Sequence, residues 1–525
     1  MQNKLTLLTT GLLFLLLLAT KPLAAEVDKT AEKILVLAAE ENQTMDHLHV
    51  LVNRIGGRFR GSDALEMAER WTAHMFEKFG LEVDVIPVQT IPVGFNRGPW
   101  FGRMLCHEDG MKLHFVTPAF TSGTRGIQRG RVLIEPQTQE EFDQMRGALN
   151  GAWVLVGGTN TNGRAIDPSP RADSLRNIVI QRNNEIIRRN AENTQWNRQN
   201  PNRPQRQMEE LETMPALFYR QMVEAGILGT IQSSTIPLRA RFDPTFEEMC
   251  FFNNLPTVPD IKLNERQFAL IERKAREREF FLLEFDIRNH FRMGPITHHN
   301  VIGVIRGSVY PEEFVMYGGH LDSYCHAPGA IDNGTGVSQT LEVARLISKA
   351  MQATGERPKR TILFPLWTAE EGAILGSYHW VHSNRDKWPN IVNYFNRDDN
   401  PTVATGIAVP ASWVEDIERV VAPLNRGNPE FPFRVEVADP IPRPTVIRGS
   451  DFIHFRMNGI PAIDIITEDP RGYNICYWDV WHSDRDTYEK SVADYMEHTS
   501  VASAILVWGI ANLERRLPAA DVYLD

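Results

Sequence analysis

The sequence predicts an α/β fold in three layers, a mixed sheet with helices on both faces, interrupted by an inserted β-rich module. Three observations predict it. From residue 291 onward, apolar strand-like runs alternate with amphipathic helical runs, the order that covers a sheet on both faces. The front of the chain shows the same order: SDALEMAERWTAHMFEKFG reads as a helix capped by Ser62 and ended by Gly80, and LEVDVIPV as an alternating strand. Between these parts the texture changes to short β-like pieces, KLHFVTPAF, GRVLIEP and GAWVLVGG, divided by glycine-rich turns. The expected division is a signal segment at 1–25, the main domain at 26–103 and 291–525, and the insert at 104–290.

A chain of 525 residues has room for a large core and a separate module. Its formal net charge of -10 argues against nucleic acid as a partner, because phosphate backbones call for a surplus of lysine and arginine. The N-terminus, MQNKLTLLTTGLLFLLLLATKPLAAEV, has Lys4, an apolar run through Ala19 and small residues at Ala24 and Ala25. That is the pattern of a secretory signal cut near Ala25, so export to the periplasm or the outside is expected, with no stable membrane span afterwards. A retained anchor is the alternative, and the run is slightly short for it. SVADYMEHTSVASAILVWGIANL carries charges and helical spacing and reads as a packed helix. In an oxidising compartment Cys106 with Cys250 and Cys325 with Cys476 are candidate disulfides. Within the insert, RNNEIIRRNAENTQWNRQNPNRPQRQMEE is dominated by asparagine, arginine and glutamine and reads as an exposed or mobile excursion. Base-stacking aromatic residues are nearly absent from it, against an RNA-binding tract.

The chemistry concentrates at predicted strand ends. YGGHLDSYCHAPGAIDNGTG follows the apolar strand EEFVM and sets Asp332 twelve residues after His320 across a glycine-containing loop. Imidazole with carboxylate suits zinc when thiolates are absent. Asp322, two residues beyond His320, lies on the same side of an extended chain and is placed to accept the second ring proton. WTAEEGAILG puts Glu370 and Glu371 where strand RTILFPLW meets the next predicted helix. Adjacent carboxylates repel, and a buried edge that concentrates them calls for cations; a helix N-terminus explains one glutamate comfortably. FNRDDNP adds Asp398 and Asp399, and WHSDRDTYE adds His482 and Asp486. Each is weak alone. His, Asp, Glu, Asp, His at separate strand ends or loops make the ligand inventory of a dinuclear site with one bridging carboxylate.

GGHLDS, GAIDNGTG, ERPKRTILFPLWTAEEGAILGS and WHSDRDTYE, in that order, resemble the motifs of the dizinc exopeptidases of clan MH, on the carboxypeptidase Q branch. The likeness covers residues 296–510 well and HLHVLVNRIGGRFRGS more loosely, and the insert resembles a protease-associated domain in its usual place. The resemblance implies the zinc exopeptidase fold and two zinc ions per chain. It assigns His320 and Asp398 to one ion, Glu371 and His482 to the other, and Asp332 to both. It makes Glu370 the general base and Asp322 the orienting partner of His320. Asp398 is taken over Asp399 on its spacing to the downstream ATG. One departure stands out: several relatives have an oxyanion-steadying tyrosine just before the final histidine, where this chain has Trp481, leaving Tyr473 or Tyr477 as substitutes, or the second zinc alone. In GSDFIHF, Ser450 and Asp451 resemble the family, Phe452 stands where some members have histidine, and His454 reads as a packing residue.

The implied activity is hydrolysis at the free N-terminus of short peptides or dipeptides, with Glu370 taking a proton from water activated between the ions. The alternatives are a carboxypeptidase releasing C-terminal residues such as glutamate, a single-zinc glutaminyl cyclase and a receptor-like relative without activity. The insert is expected to line the cleft or to assist assembly into a homodimer.

Overall fold

The computed structural model describes residues 28–105, 110–241, 252–398 and 401–524. The expected signal segment, Cys106, Cys250 and Asp399 lie outside the described residues. Among the described residues no helix is long and apolar enough to cross a membrane.

The central sheet has five strands, in the order Glu82–Asn96, His290–Ile305, Arg360–Trp367, Tyr310–His320 and Ile391–Asn396. The first two pair antiparallel, as do the second and third, and the last three run parallel. The sheet is mixed, as expected. Successive residues point to opposite faces, so the apolar run ILF of Arg360–Trp367 serves two cores. Val315, Tyr317, Ile362 and Phe364 pack on one face under the helices Lys29–Glu41, Thr335–Thr354 and Ala493–Asn512. Phe314, Met316, Leu363 and Trp367 pack on the other, under Leu375–Ser383 and Phe452–Met457. Each such fully buried side chain contributes roughly 1.5–3 kcal/mol of transfer free energy. The helix Asp63–Phe79 has the expected ends: Ser62 Oγ accepts from Leu65 N at 3.0 Å, and Gly80 takes φ 88°.

Two further sheets are built from residues between the strands Glu82–Asn96 and His290–Ile305. In one, Trp100–Leu105 and Leu282–Ile287 pair antiparallel, so the segment leaves and returns through neighbouring strands. The other has five strands in the order Phe115–Val116, Asp260–Asn264, Gly229–Ser234, Trp153–Asn160 and Val132–Ile134, the last four parallel. Its faces are covered by Phe142 of the helix Gln139–Leu149 and by Phe268 of Glu265–Arg276.

One expectation is corrected, and another, the asparagine-rich run, is exposed as expected but regular in structure. Cys325 and Cys476 are free thiols rather than a disulfide. The asparagine-rich excursion belongs largely to a 30-residue helix, Pro170–Gln199, capped by Ser169. Its composition buries little, but the asparagines recur every seven residues and bind main chain. Asn183, Asn190 and Asn197 each accept from one backbone N–H and donate to the carbonyl of the same residue, at Glu212, Glu209 and Arg206 respectively. Seven helical residues rise about 10.5 Å, and three extended residues span about 10 Å, so a helix and an antiparallel strap stay in step. We expect Asn190→Ala to speed hydrogen exchange across residues 206–212 about tenfold, the equivalent of one or two lost hydrogen bonds, while thermal unfolding of the rest of the chain stays unchanged.

Candidate metal centre

Three parallel strands end at one edge of the central sheet. His320 is the last residue of the first. Glu370 and Glu371 follow the second after Ala369, whose φ of 54° turns the chain, and Asp398 follows the third by two residues. Ligands gather at such carboxyl ends. The glycines around His320 permit the crowding: a Cβ on Gly319 or on Gly336 would lie 2.2 or 2.1 Å from the Arg397 carbonyl oxygen. The helix expected to begin at Ala369 begins only at Leu375. The reason lies in Asp322, whose two carboxylate oxygens accept the N–H groups of Glu370 and Glu371, each at 3.1 Å. Held this way, the glutamate amides sit in a turn of their own. The second ring proton of His320 is taken by the main-chain carbonyl of Asp322, with Nδ1 at 3.0 Å; the Asp322 carboxylate, at 3.6 Å, is beyond a good hydrogen bond.

The five expected ligand residues come together as two donor groups sharing one carboxylate. His320 Nε2 lies 3.3 Å from Asp332 Oδ1 and 3.5 Å from Asp398 Oδ1. His482 Nε2 lies 3.4 Å from Asp332 Oδ2 and 3.0 Å from Glu371 Oε2. Within each group the donor atoms lie within 4.8 Å of one another. His320 Nε2, Asp332 Oδ2, Glu371 Oε1 and Asp398 Oδ1 are buried without a hydrogen-bond partner, a state that costs free energy unless something else satisfies them. A nitrogen and oxygen donor set of this kind fits zinc.

Burial pushes Glu370 and Glu371 well above the usual carboxylate range. His320 partly opposes this in both, while Asp398 and Asp451 add to it at Glu370, and Asp332 and Glu370 add to it at Glu371. Burial raises Asp332 as well, against the pull of His320. Asp398 is the exception: burial would raise it, and the neighbouring His320 holds it below the ordinary value. Burial would lower His320, but Asp398 and Glu370 carry it well above its ordinary value. His482 falls well below, through burial and the nearby Arg241.

Three further residues support the centre, and of these Arg58 was not singled out in the sequence. Arg58, fully buried, donates to the carbonyls of Gly56, Leu321, Pro328 and Gly329 and so ties down the loop between His320 and Asp332. Asp486 accepts the N–H groups of Ile331 and Asp332, at 2.6 and 3.2 Å, which fixes the backbone of the shared carboxylate. Asp451 is wholly buried, and burial pushes it up to about 7. The glycines of IGGRFRG beside Arg58 were the available signal for it.

A cleft of about 820 Å³ opens over the donor groups and is lined by Glu370, Arg241, Arg448, Phe452, Tyr477 and Trp478 among others. Tyr477 is therefore the candidate tyrosine in the cleft, whereas Tyr473 is half exposed beside Arg471. Trp481 stacks on the His482 ring at 3.9 Å. His454 packs against Tyr378 and meets the Ile374 carbonyl at 3.1 Å, in keeping with a packing role.

A mixed sheet between two helical layers, with a buried zinc-type donor set at its carboxyl edge, defines the metallopeptidase class. Residues 300–507 match the profile of peptidase family M28. It is 20% identical to human carboxypeptidase Q over 513 residues, 94% of this chain and 90% of that protein. It is 35% identical to mouse aminopeptidase NAALADL1 over 116 residues, which span 22% of this chain and 15% of the mouse protein's length. The fold resembles the crystal structure of a peptidase M28 precursor from Shewanella amazonensis, with a TM-score of 0.56, 18% identity and coverage of 93% of this chain and 98% of that one.

Raised carboxyls and a raised imidazole hold protons in the folded chain that the unfolded chain releases, so stability without metal falls as pH rises. His482, being lowered, opposes this only below about pH 6.5. Between roughly pH 6.5 and 8 the metal-free chain is expected to lose thermal stability, and zinc, which displaces those protons, is expected to restore it. Scanning calorimetry with and without zinc across that range checks the sign.

Proposed function

We propose that the chain is an exported zinc-dependent exopeptidase that hydrolyses the peptide bond at the free N-terminus of short peptides, dipeptides above all. The single observation that carries this reading is the pair of donor groups sharing Asp332, with Glu370 beside them in an open cleft. His320 and Asp398 would hold one zinc, Glu371 and His482 the other, and Asp332 both.

Zinc held there would supply a Lewis acid for the scissile carbonyl and would lower the pKa of an attacking water toward neutrality. Glu370, buried and raised, takes the proton from that water and delivers it to the departing amide nitrogen. Asp322 keeps Glu370 and Glu371 oriented through their amides. Tyr477 is the donor for the developing oxyanion in place of the residue that Trp481 displaces. Burial and the carboxylates Asp332 and Asp398 hold the Tyr477 hydroxyl well above its usual range, so it keeps its proton to give as a hydrogen bond. The surplus of acids around the centre attracts a substrate's α-amino group.

Carboxypeptidase action is the second reading, and one observation favours it: Arg241 and Arg448 line the same cleft, cations suited to a C-terminal carboxylate. A dipeptide presents both charges within one residue of the scissile bond and satisfies both walls.

Glu370→Ala is expected to keep its zinc and lose turnover by about 10²–10⁴-fold; retained activity with zinc bound removes Glu370 from the role. A panel of dipeptides with free, N-acetylated or C-amidated ends, assayed with and without chelator, tests the substrate. N-acetylation is expected to abolish cleavage and amidation to weaken it. Equal cleavage of the acetylated peptide transfers the assignment to a carboxypeptidase, and zinc binding without any cleavage transfers it to a receptor-like protein.

A further inference from the structure

The segment from Leu238 to Arg241 belongs to the insert, yet it lies against residues 478–486, which carry His482. Arg239 and Ser483 form an antiparallel β-bridge. Asp484 N–H donates to the Leu238 carbonyl at 2.9 Å, and its carboxylate accepts the Leu238 N–H at 3.1 Å and meets His114 Nε2 at 2.6 Å. The Arg239 guanidinium donates from Nε to the Trp481 carbonyl at 3.3 Å and from Nη2 to the Trp478 carbonyl at 2.5 Å. Arg241 lies over the Trp481 ring at 5.1 Å, and that ring stacks on His482. From behind, the segment is braced by Gly163, whose carbonyl accepts the Arg241 N–H at 3.2 Å. A Cβ on Gly163 would lie 2.0 Å from the Arg239 carbonyl oxygen, so the contact requires glycine.

His482 needs such a brace. Its φ is 51°, a conformation that residues with a β-carbon rarely take and that persists only where the surroundings impose it. The peptide that precedes His482 is the one whose carbonyl Arg239 holds. His320 is anchored differently, as the last residue of a central strand paired with Trp367 and through the Asp322 carbonyl. The two histidines therefore hang on separate supports, whereas Glu371 follows a central strand and Asp332 is common to both groups.

We propose that Arg239 is a positioning residue for His482, so that the insert braces this one ligand while the central sheet carries His320 and Glu371. The inference rests on the zinc reading above. It is tested on the full chain by titrating zinc against a chromophoric chelator for Arg239→Ala and Asp484→Ala, with Arg182→Ala on the insert's surface as control. One zinc equivalent is expected to weaken by about 10–100-fold, as when a partner outside the ligand set is lost. The other equivalent and the thermal midpoint of the metal-free chain are expected to stay unchanged, and Arg239→Lys to regain part of the affinity. Two equivalents bound as tightly as before in both alanine variants, or both equivalents weakened together, overturn the inference. An unsubstituted chain that takes up no zinc overturns the zinc reading first, and the inference with it.

Discussion

Asp332, Glu370 and Glu371 are buried at one edge of the sheet, with Asp398 only slightly exposed beside them, and four carboxylates so placed repel strongly where the local dielectric is low. The rest of the architecture is arranged around that repulsion. Protons offset it in part, and His320 and His482 add two nitrogen donors among the oxygens. Two neighbouring carboxylates are occupied with main chain: Asp322 holds two glutamate amides, and Asp486 holds the amides of Ile331 and Asp332. Arg58 brings a guanidinium into the same region and spends it on main-chain carbonyls, those of Gly56, Leu321, Pro328 and Gly329. Charge at the centre is thus left for cations to neutralise.

Much of this was legible because the residue types are extreme for their positions. Histidine and acids at the ends of apolar strands have no packing purpose, and four such segments in order left few alternative folds. What the chain concealed was the partner of each polar group. AEEGAILGS reads as the start of a helix until the carboxylate of Asp322, 48 residues upstream of Glu370, is seen to capture its amides. Arg239 is one of 56 basic residues, and only the fold places it beside Trp481. Cys325 and Cys476 both lie near the centre in sequence, yet proximity along the chain said nothing of their geometry, and both are free.

The insert shows the same limit in another form. Its asparagine-rich run was read for composition, and composition alone reports how much a segment can bury. The period of seven carried the information instead, since it repeats on one helical face while the strap advances three residues. Polar side chains that pair with main chain give a long, sparsely buried helix a fixed companion without an apolar core. A second contact of the same kind, the Leu238 N–H given to the Asp484 carboxylate, joins the insert to the loop of His482.

The strap contacts leave a distinctive freedom. Because the amides of Asn183, Asn190 and Asn197 grip peptide groups, which every residue possesses, the identity of the side chains at Arg206, Glu209 and Glu212 is irrelevant to that grip. Proline alone, lacking an N–H, is excluded there. The side chains along the strap can thus change without loosening the asparagine grip, although Glu209 and Arg206 also pair with Arg189 and Trp196 of the helix.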